Sequence, residues 1–253
     1  MALEYVAFAV WCFAVAFAGG LVGLVLGNLR LPATLLVAAS PAAATGANLI
    51  VSAAAAGTAS IAHIRAGRIN WRLFAWMAPP SIAGAVVGGY LSGELPRGVL
   101  LGFIAAVLLY SGIDLLRWKP KPRAAGPTED PSNLDIPAAV ASGSFIGFLG
   151  VIVGLILGSL RMPALLRFVG EVPHKAVGTN VAVGFFVGIS GALGHLPSST
   201  PDWTAAAVGS AASIPGALAG SRLTGRLSQE QLIKAIGVVL LIAAAATLVD
   251  IFR

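Results

Sequence analysis

Charge is scarce in this 253-residue chain: Asp, Glu, Lys and Arg together make up 10% of it, against about 25% in soluble domains. Hydrophobic residues make up 57%, so too little polar surface remains to clothe a water-soluble globule. Disorder, a nucleic-acid-binding domain and a soluble metabolic enzyme all fit poorly. Cysteine occurs once, as Cys12 within an apolar run, which excludes a disulfide framework and a thiolate metal site. No Gly-x-x-x-x-Gly-Lys-Ser/Thr loop is present to cradle nucleotide phosphates. His, Asp and Glu never fall at metal-ligand spacing, and no serine or cysteine lies in a nucleophile motif. An enzyme reading therefore has no support, and no cofactor is expected. The sequence is that of an all-α polytopic membrane protein.

A helix crossing about 30 Å of hydrocarbon needs roughly 20 apolar residues. Candidate spans are Tyr5–Leu26, Ala44–Ile64, Leu73–Ser92, Gly98–Leu116, Ile136–Leu157, Ala176–Gly194, Thr204–Thr224 and Gln231–Phe252. Two apolar pieces, Ala33–Ala39 and Ala164–Val169, are too short to span. Met1–Glu4 lacks the basic start of a signal peptide, so the first span is expected to be retained. Residues 117–135 are rich in proline and charge and read as a solvated linker. They separate a first repeat, 1–116, from a second, 136–253.

The halves echo each other in one register. Gly27-Asn28-Leu29-Arg30-Leu31-Pro32-Ala33 returns as Gly158-Ser159-Leu160-Arg161-Met162-Pro163-Ala164, 131 residues later. After one inserted residue, Asn48 matches Asn180, His63 matches His195 and Trp71 matches Trp203. Gly84 and Gly88 return as Gly216 and Gly220, small-residue faces suited to close helix packing. Shared glycines mean little in Ala/Gly-rich helices; shared Arg-x-Pro, Asn, His and Trp mean much more. The tryptophans read as interfacial belt residues, and the histidines as caps near the two membrane faces.

Cations place the loops, because cytoplasmic loops collect Lys and Arg. Arg65, Arg68 and Arg72 follow the second span, whereas the matching loop, 195–203, has no Lys or Arg. Arg222, Arg226 and Lys234 answer a region holding only Arg97. Arg167 and Lys175 answer an uncharged stretch, 36–44. Each basic loop thus has a cation-poor twin, which implies inverted-topology repeats with the linker inside. Odd parity then requires each half to open with a broken helical hairpin, followed by three further transmembrane helices. Both termini are expected outside.

The hairpin tips are expected at Gly27–Pro32 and Gly158–Pro163. Proline suits the first position of a helix, so short helices are expected to begin at Pro32 and Pro163. Their amino ends would aim unpaired N–H groups and partial positive charge at a cavity, a setting that favours anions. Arg30 and Arg161 add a full charge to each tip, with no carboxylate near them in sequence. Two such arginines make best sense around an anion; the plainer reading is that each snorkels to an interface. Asn28, Ser159, Asn48, Thr179 and Asn180 are second-rank polar contacts, since an amide or hydroxyl in a bilayer needs a partner.

At these residues the chain resembles the sulfite exporter TauE/SafE family of membrane transporters. The likeness rests on the two proline-bearing tips and on the pair Pro41–Asn48 and Pro173–Asn180. It extends to the basic turn His63-Ile64-Arg65-Ala66-Gly67-Arg68-Ile69-Asn70-Trp71. The family usually carries a run of glycines before the proline; here Gly27 and Gly158 stand alone at those places. The resemblance implies secondary transport, most simply export, of a small sulfur-containing anion such as sulfite or an organosulfonate across a bacterial inner membrane. The substrate-binding residues would be Arg30, Arg161, Asn28, Ser159, Asn48, Thr179 and Asn180. The partners would be that anion and the lipid bilayer, with no nucleic acid. An anion channel of the same architecture and a non-transporting membrane scaffold remain the alternatives.

Overall fold

The computed structural model describes residues 2–90, 97–118, 135–152, 156–196 and 200–251. Among them lie ten α-helices and no strand: α1 (Ala2–Val22), α2 (Gly27–Val37), α3 (Pro41–Arg65), α4 (Trp71–Tyr90), α5 (Arg97–Arg117), α6 (Ile136–Ile152), α7 (Gly158–Arg167), α8 (Pro173–His195), α9 (Trp203–Thr224) and α10 (Gln229–Ile251). Most of the linker read from the sequence, 119–134, falls outside the described residues, as does the side chain of His195.

Polar residues start the helices where the apolar runs begin. Ser40 accepts from Ala43 N at 3.2 Å ahead of Pro41, the first residue of α3. Asp202 accepts from Ala205 N at 2.9 Å and opens α9. Ser228 and Gln231 bond reciprocally, the Ser228 N–H donating at 2.9 Å and the hydroxyl accepting at 3.2 Å, in a capping box for α10. Among the described residues, four helices are long and apolar enough to cross a membrane: α1 over Leu3–Val22, α3 over its full length, α8 over Pro173–Gly194 and α10 over Gln229–Val249. With leucine, valine and aromatic side chains exposed along the outside of the bundle, among them Leu3, Trp76, Val87, Tyr110 and Val249, this is a multi-pass membrane protein.

Helices of the first half pack on helices of the second. α1 lies along α9, α4 along α6, α5 along α10, and α3 crosses α8 at the centre. Exchanging each helix for its sequence twin turns the α1–α9 contact into the α6–α4 contact. The likeness reaches single atoms. A Cβ on Gly216 would fall 2.4 Å from the Phe13 carbonyl oxygen, and one on Gly84 would fall 2.2 Å from that of Ser144. Both glycines therefore let two backbones touch where no side chain fits.

The loops gather at two ends. At one end, Asn70 donates from its backbone N–H to Thr179 Oγ1 at 3.0 Å and from its side chain to Glu171. Arg68 Nη1 donates to Ser221 O at 3.0 Å there, and Arg167 pairs with Asp114 at 2.6 Å. At the other end, Asp202 N donates to Ala43 O at 3.2 Å, and Ala39 N donates to the Asp202 carboxylate at 3.3 Å. The α3–α4 turn thus sits with the α7–α8 turn, and the α2–α3 turn with the α8–α9 turn.

Candidate functional site

The short helices start earlier than the prolines suggest. α2 begins at Gly27 and α7 at Gly158, so Pro32 and Pro163 lie inside the helices. The expectation that Pro32 and Pro163 open them is therefore corrected. Proline at the sixth helical position removes one backbone bond, and its ring faces a carbonyl of the first turn, Asn28 or Ser159, where a helix end yields readily. The chain break sits one step upstream, at residues 23–26 in the first half. There Gly23 adopts φ +69° against the backbone of Val177, a conformation and a spacing that only glycine tolerates. In the second half, residues 156–157 are unwound ahead of α7, and 153–155 lie outside the described residues.

This shift places Arg30 and Arg161 at the fourth position of their helices, on the amino-terminal turn. Leu26 and Leu157, the cap residues, offer no side-chain acceptor to the first N–H groups. Each turn thus sets a guanidinium beside backbone N–H groups that no side chain caps. Both arginines are buried, 1% and 0% exposed. Neither has a carboxylate partner among the described residues. The one well-buried carboxylate there, Glu171, accepts from Asn70 and Val172 N instead.

Neutral groups hold the two cations. Arg30 Nη1 donates to Ser52 Oγ at 2.8 Å, and Arg161 Nη1 donates to Asn180 Oδ1 at 3.3 Å. Arg30 Nε, Arg161 Nε, Arg161 Nη2 and Ser159 Oγ are buried with no hydrogen-bond partner. The asparagines brace the breaks: Asn48 Nδ2 donates to Gly27 O at 3.2 Å, and Asn180 Nδ2 donates to Gly158 O at 2.9 Å and Gly23 O at 2.7 Å. Asn28 turns away from this cluster and donates to Thr247 Oγ1 at 3.2 Å, tying α2 to α10. Thr179 likewise accepts from the Asn70 backbone at the end of the bundle.

Val25 joins the two breaks. Its backbone nitrogen would lie 3.1 Å from a Cβ on Gly158, while its side chain packs on Gly184. It also lines, with Arg30, Ser52, Gly20, Ala56 and Val181, a cavity of about 10 Å³, at the limit of one water molecule. Arg161 is absent from that lining. Ser52 was missed in the sequence reading, since a serine in an Ala-rich helix carries no signal until its partner is known. His63, in the last turn of α3, is fully buried with neither ring nitrogen hydrogen-bonded. Trp71 and Trp203 are more than half exposed, as belt residues are.

Comparison with known proteins places this arrangement. The family model for the sulfite exporter TauE/SafE matches residues 8–247. The chain belongs to the TauE/SafE family. Its similarity to "Probable membrane transporter protein YunE" of Bacillus subtilis (strain 168) is 22% identity over 240 residues, covering 86% of each chain. It is also similar to "Probable membrane transporter protein ORF9" of Sinorhizobium sp, 29% identical over 108 residues, or 40% of this chain and 41% of that one. No solved structure matches it. As a TauE/SafE protein it is a membrane transporter, whose two buried, carboxylate-free arginines form the candidate site.

Proposed function

We propose that this TauE/SafE protein exports a small sulfur-containing anion, such as sulfite or an organosulfonate, by alternating access around Arg30 and Arg161. The reading rests on one observation: two buried guanidinium groups on helix amino termini with no carboxylate partner among the described residues. An ionised side chain deep in a bilayer protein is costly unless something completes its charge, and an anion does so from either side. Sulfite and sulfonate oxygens accept from guanidinium and amide N–H groups. Ser159 adds a hydroxyl, while Asn48 and Asn180 hold the breaks in shape. Asn28 and Thr179 act further out, through α10 and the α3–α4 turn.

The halves 1–116 and 136–253 are taken as inverted repeats around this site. The loop contacts support that geometry, because equivalent turns of the two halves sit at opposite ends. The basic end then faces the cytoplasm, both termini face the periplasm, and the membrane is a bacterial inner membrane. A cavity fitting one water belongs to a closed state, so transport requires the halves to rock apart on one side and then the other.

The test is sulfite flux in proteoliposomes. Wild type should show saturable counterflow, and Arg30→Ala and Arg161→Ala should each abolish it. Near-normal flux in both variants would reject the site, and single-channel currents would point to a pore instead.

A further inference from the structure

Asn70 and Asp202 are twins, 132 residues apart, and each directly precedes the matched tryptophan, Trp71 or Trp203, that opens α4 or α9. Each caps its own helix: Asn70 Oδ1 accepts from Leu73 N at 3.1 Å, and Asp202 Oδ1 accepts from Ala205 N at 2.9 Å. The second side-chain atom of each reaches into the other half. Asn70 Nδ2 donates to the Glu171 carboxylate on the α7–α8 turn, and Asp202 Oδ2 accepts from Ala39 N on the α2–α3 turn at 3.3 Å. Both backbone N–H groups cross as well, Asn70 N to Thr179 Oγ1 at 3.0 Å and Asp202 N to Ala43 O at 3.2 Å.

The packing around these clasps is matched too. Gly178 of α8 lies so close to the chain ahead of α4 that a Cβ there would fall 2.1 Å from the Arg68 carbonyl oxygen. Its twin in α3, Gly46, lies against Pro201 ahead of α9, where a Cβ would fall 3.0 Å from the proline ring. Arg68 and Arg167 add further bonds across the halves at the basic end, to Ser221 O and Asp114. Both ends are thus sealed at once, and the Arg30 cavity lies along the middle of α3 between them. A hydrogen bond is lost once its partners part by an ångström or so. Neither clasp therefore survives a separation of the halves at its own end, while each can persist through an opening at the other.

We propose that Asn70 and Asp202 are the two gate latches of the transport cycle, Asn70 with Glu171 closing the basic end and Asp202 with Ala39 closing the cation-poor end, released one at a time. The inference rests on the alternating-access reading above and deepens it, by naming the contacts that must break on each side.

The experiment reads the central cavity from both sides of the membrane. Ala56, buried in the cavity wall, becomes the reporter as Ala56→Cys in a Cys12→Ser background. Its labelling by membrane-impermeant 2-sulfonatoethyl methanethiosulfonate is timed in right-side-out and in inside-out membrane vesicles. Glu171→Ala frees Asn70 from its carboxylate but leaves the α4 cap. Asp202→Asn keeps an oxygen for the α9 cap and sets an amide nitrogen against the Ala39 N–H. Loss of one hydrogen bond should raise the open fraction, and with it the labelling rate, about two- to tenfold. Glu171→Ala should show this from the cytoplasmic side alone, and Asp202→Asn from the periplasmic side alone. The same pattern with the sides exchanged would also support the latches, in a molecule of opposite orientation. Failure of either variant to speed labelling, or a gain from both sides at once, would overturn them. Should Glu171→Ala not reach the membrane, Asn70→Ser replaces it, since serine still caps but is too short to reach Glu171. No step uses sulfite, so the latches and the anion reading fail separately.

Discussion

Asn180 donates a hydrogen bond of 2.9 Å to the carbonyl oxygen of Gly158, the residue that opens α7. Asn48 makes the same bond, at 3.2 Å, to Gly27 at the start of α2. An asparagine on a long central helix thus fixes the amino end of a short helix in each half. The twin that binds an arginine as well, Asn180, carries more contacts.

That difference sets the first prediction. Asn48→Ala removes one buried bond and Asn180→Ala removes three, including the acceptor for Arg161. Leaving buried polar groups unpaired costs about 1–3 kcal/mol each. Asn180→Ala should therefore lower the melting temperature in detergent clearly more than Asn48→Ala. Equal shifts would mean that the breaks are not held by these amides.

Ser52→Ala tests the tether of Arg30. It deletes the hydroxyl that accepts from Nη1 at 2.8 Å and leaves a buried cationic donor unmatched. The expected loss is about 1–3 kcal/mol of stability, read from chemical denaturation in detergent. Part of it should return on adding sulfite, which supplies the missing acceptor.

Glycines divide by what surrounds them. A Cβ on Gly216 would meet the Phe13 carbonyl oxygen at 2.4 Å, whereas one on Gly102 in α5 meets nothing within 4 Å. Gly216→Ala should destabilise by about 1–3 kcal/mol or more through overpacking. Gly102→Ala should stabilise by about 0.4–1 kcal/mol through reduced unfolded-state entropy. Thermal melts of the two variants should move in opposite directions.

Topology can be read by labelling. In a Cys12→Ser background, Ala39→Cys lies exposed at the cation-poor end and Arg226→Cys at the basic end. A membrane-impermeant maleimide should label Ala39→Cys in cells whose outer membrane alone is permeabilised. Arg226→Cys should label only after the inner membrane is opened. The reverse pattern would invert the proposed orientation, and labelling of both from one side would reject inverted repeats.

Much of the fold was legible because lipid imposes a simple rule on the chain. Apolar runs of spanning length located eight of the ten described helices, and the two shorter apolar pieces fell on the later parts of α2 and α7. Paired rare residues such as Arg30 and Arg161 revealed the repeat. Proline was misleading at Pro32 and Pro163 because its preference for a first helical position is local. Here the helix start follows from Gly27 lying against Asn48 and Ser52, and Gly158 against Val25.

By itself, then, the sequence determined that the chain is helical, lives in a bilayer, repeats its halves and carries two arginines without nearby acids. Each of these follows from composition or spacing along the chain. Tertiary structure decided which neutral group each arginine holds, that Asn28 serves α10, and that Thr179 serves the α3–α4 turn. A buried hydrogen bond goes to whichever partner the packing brings within about 3 Å. Partners such as Asn28 and Thr247, separated by 219 residues, meet only once the helices have assembled.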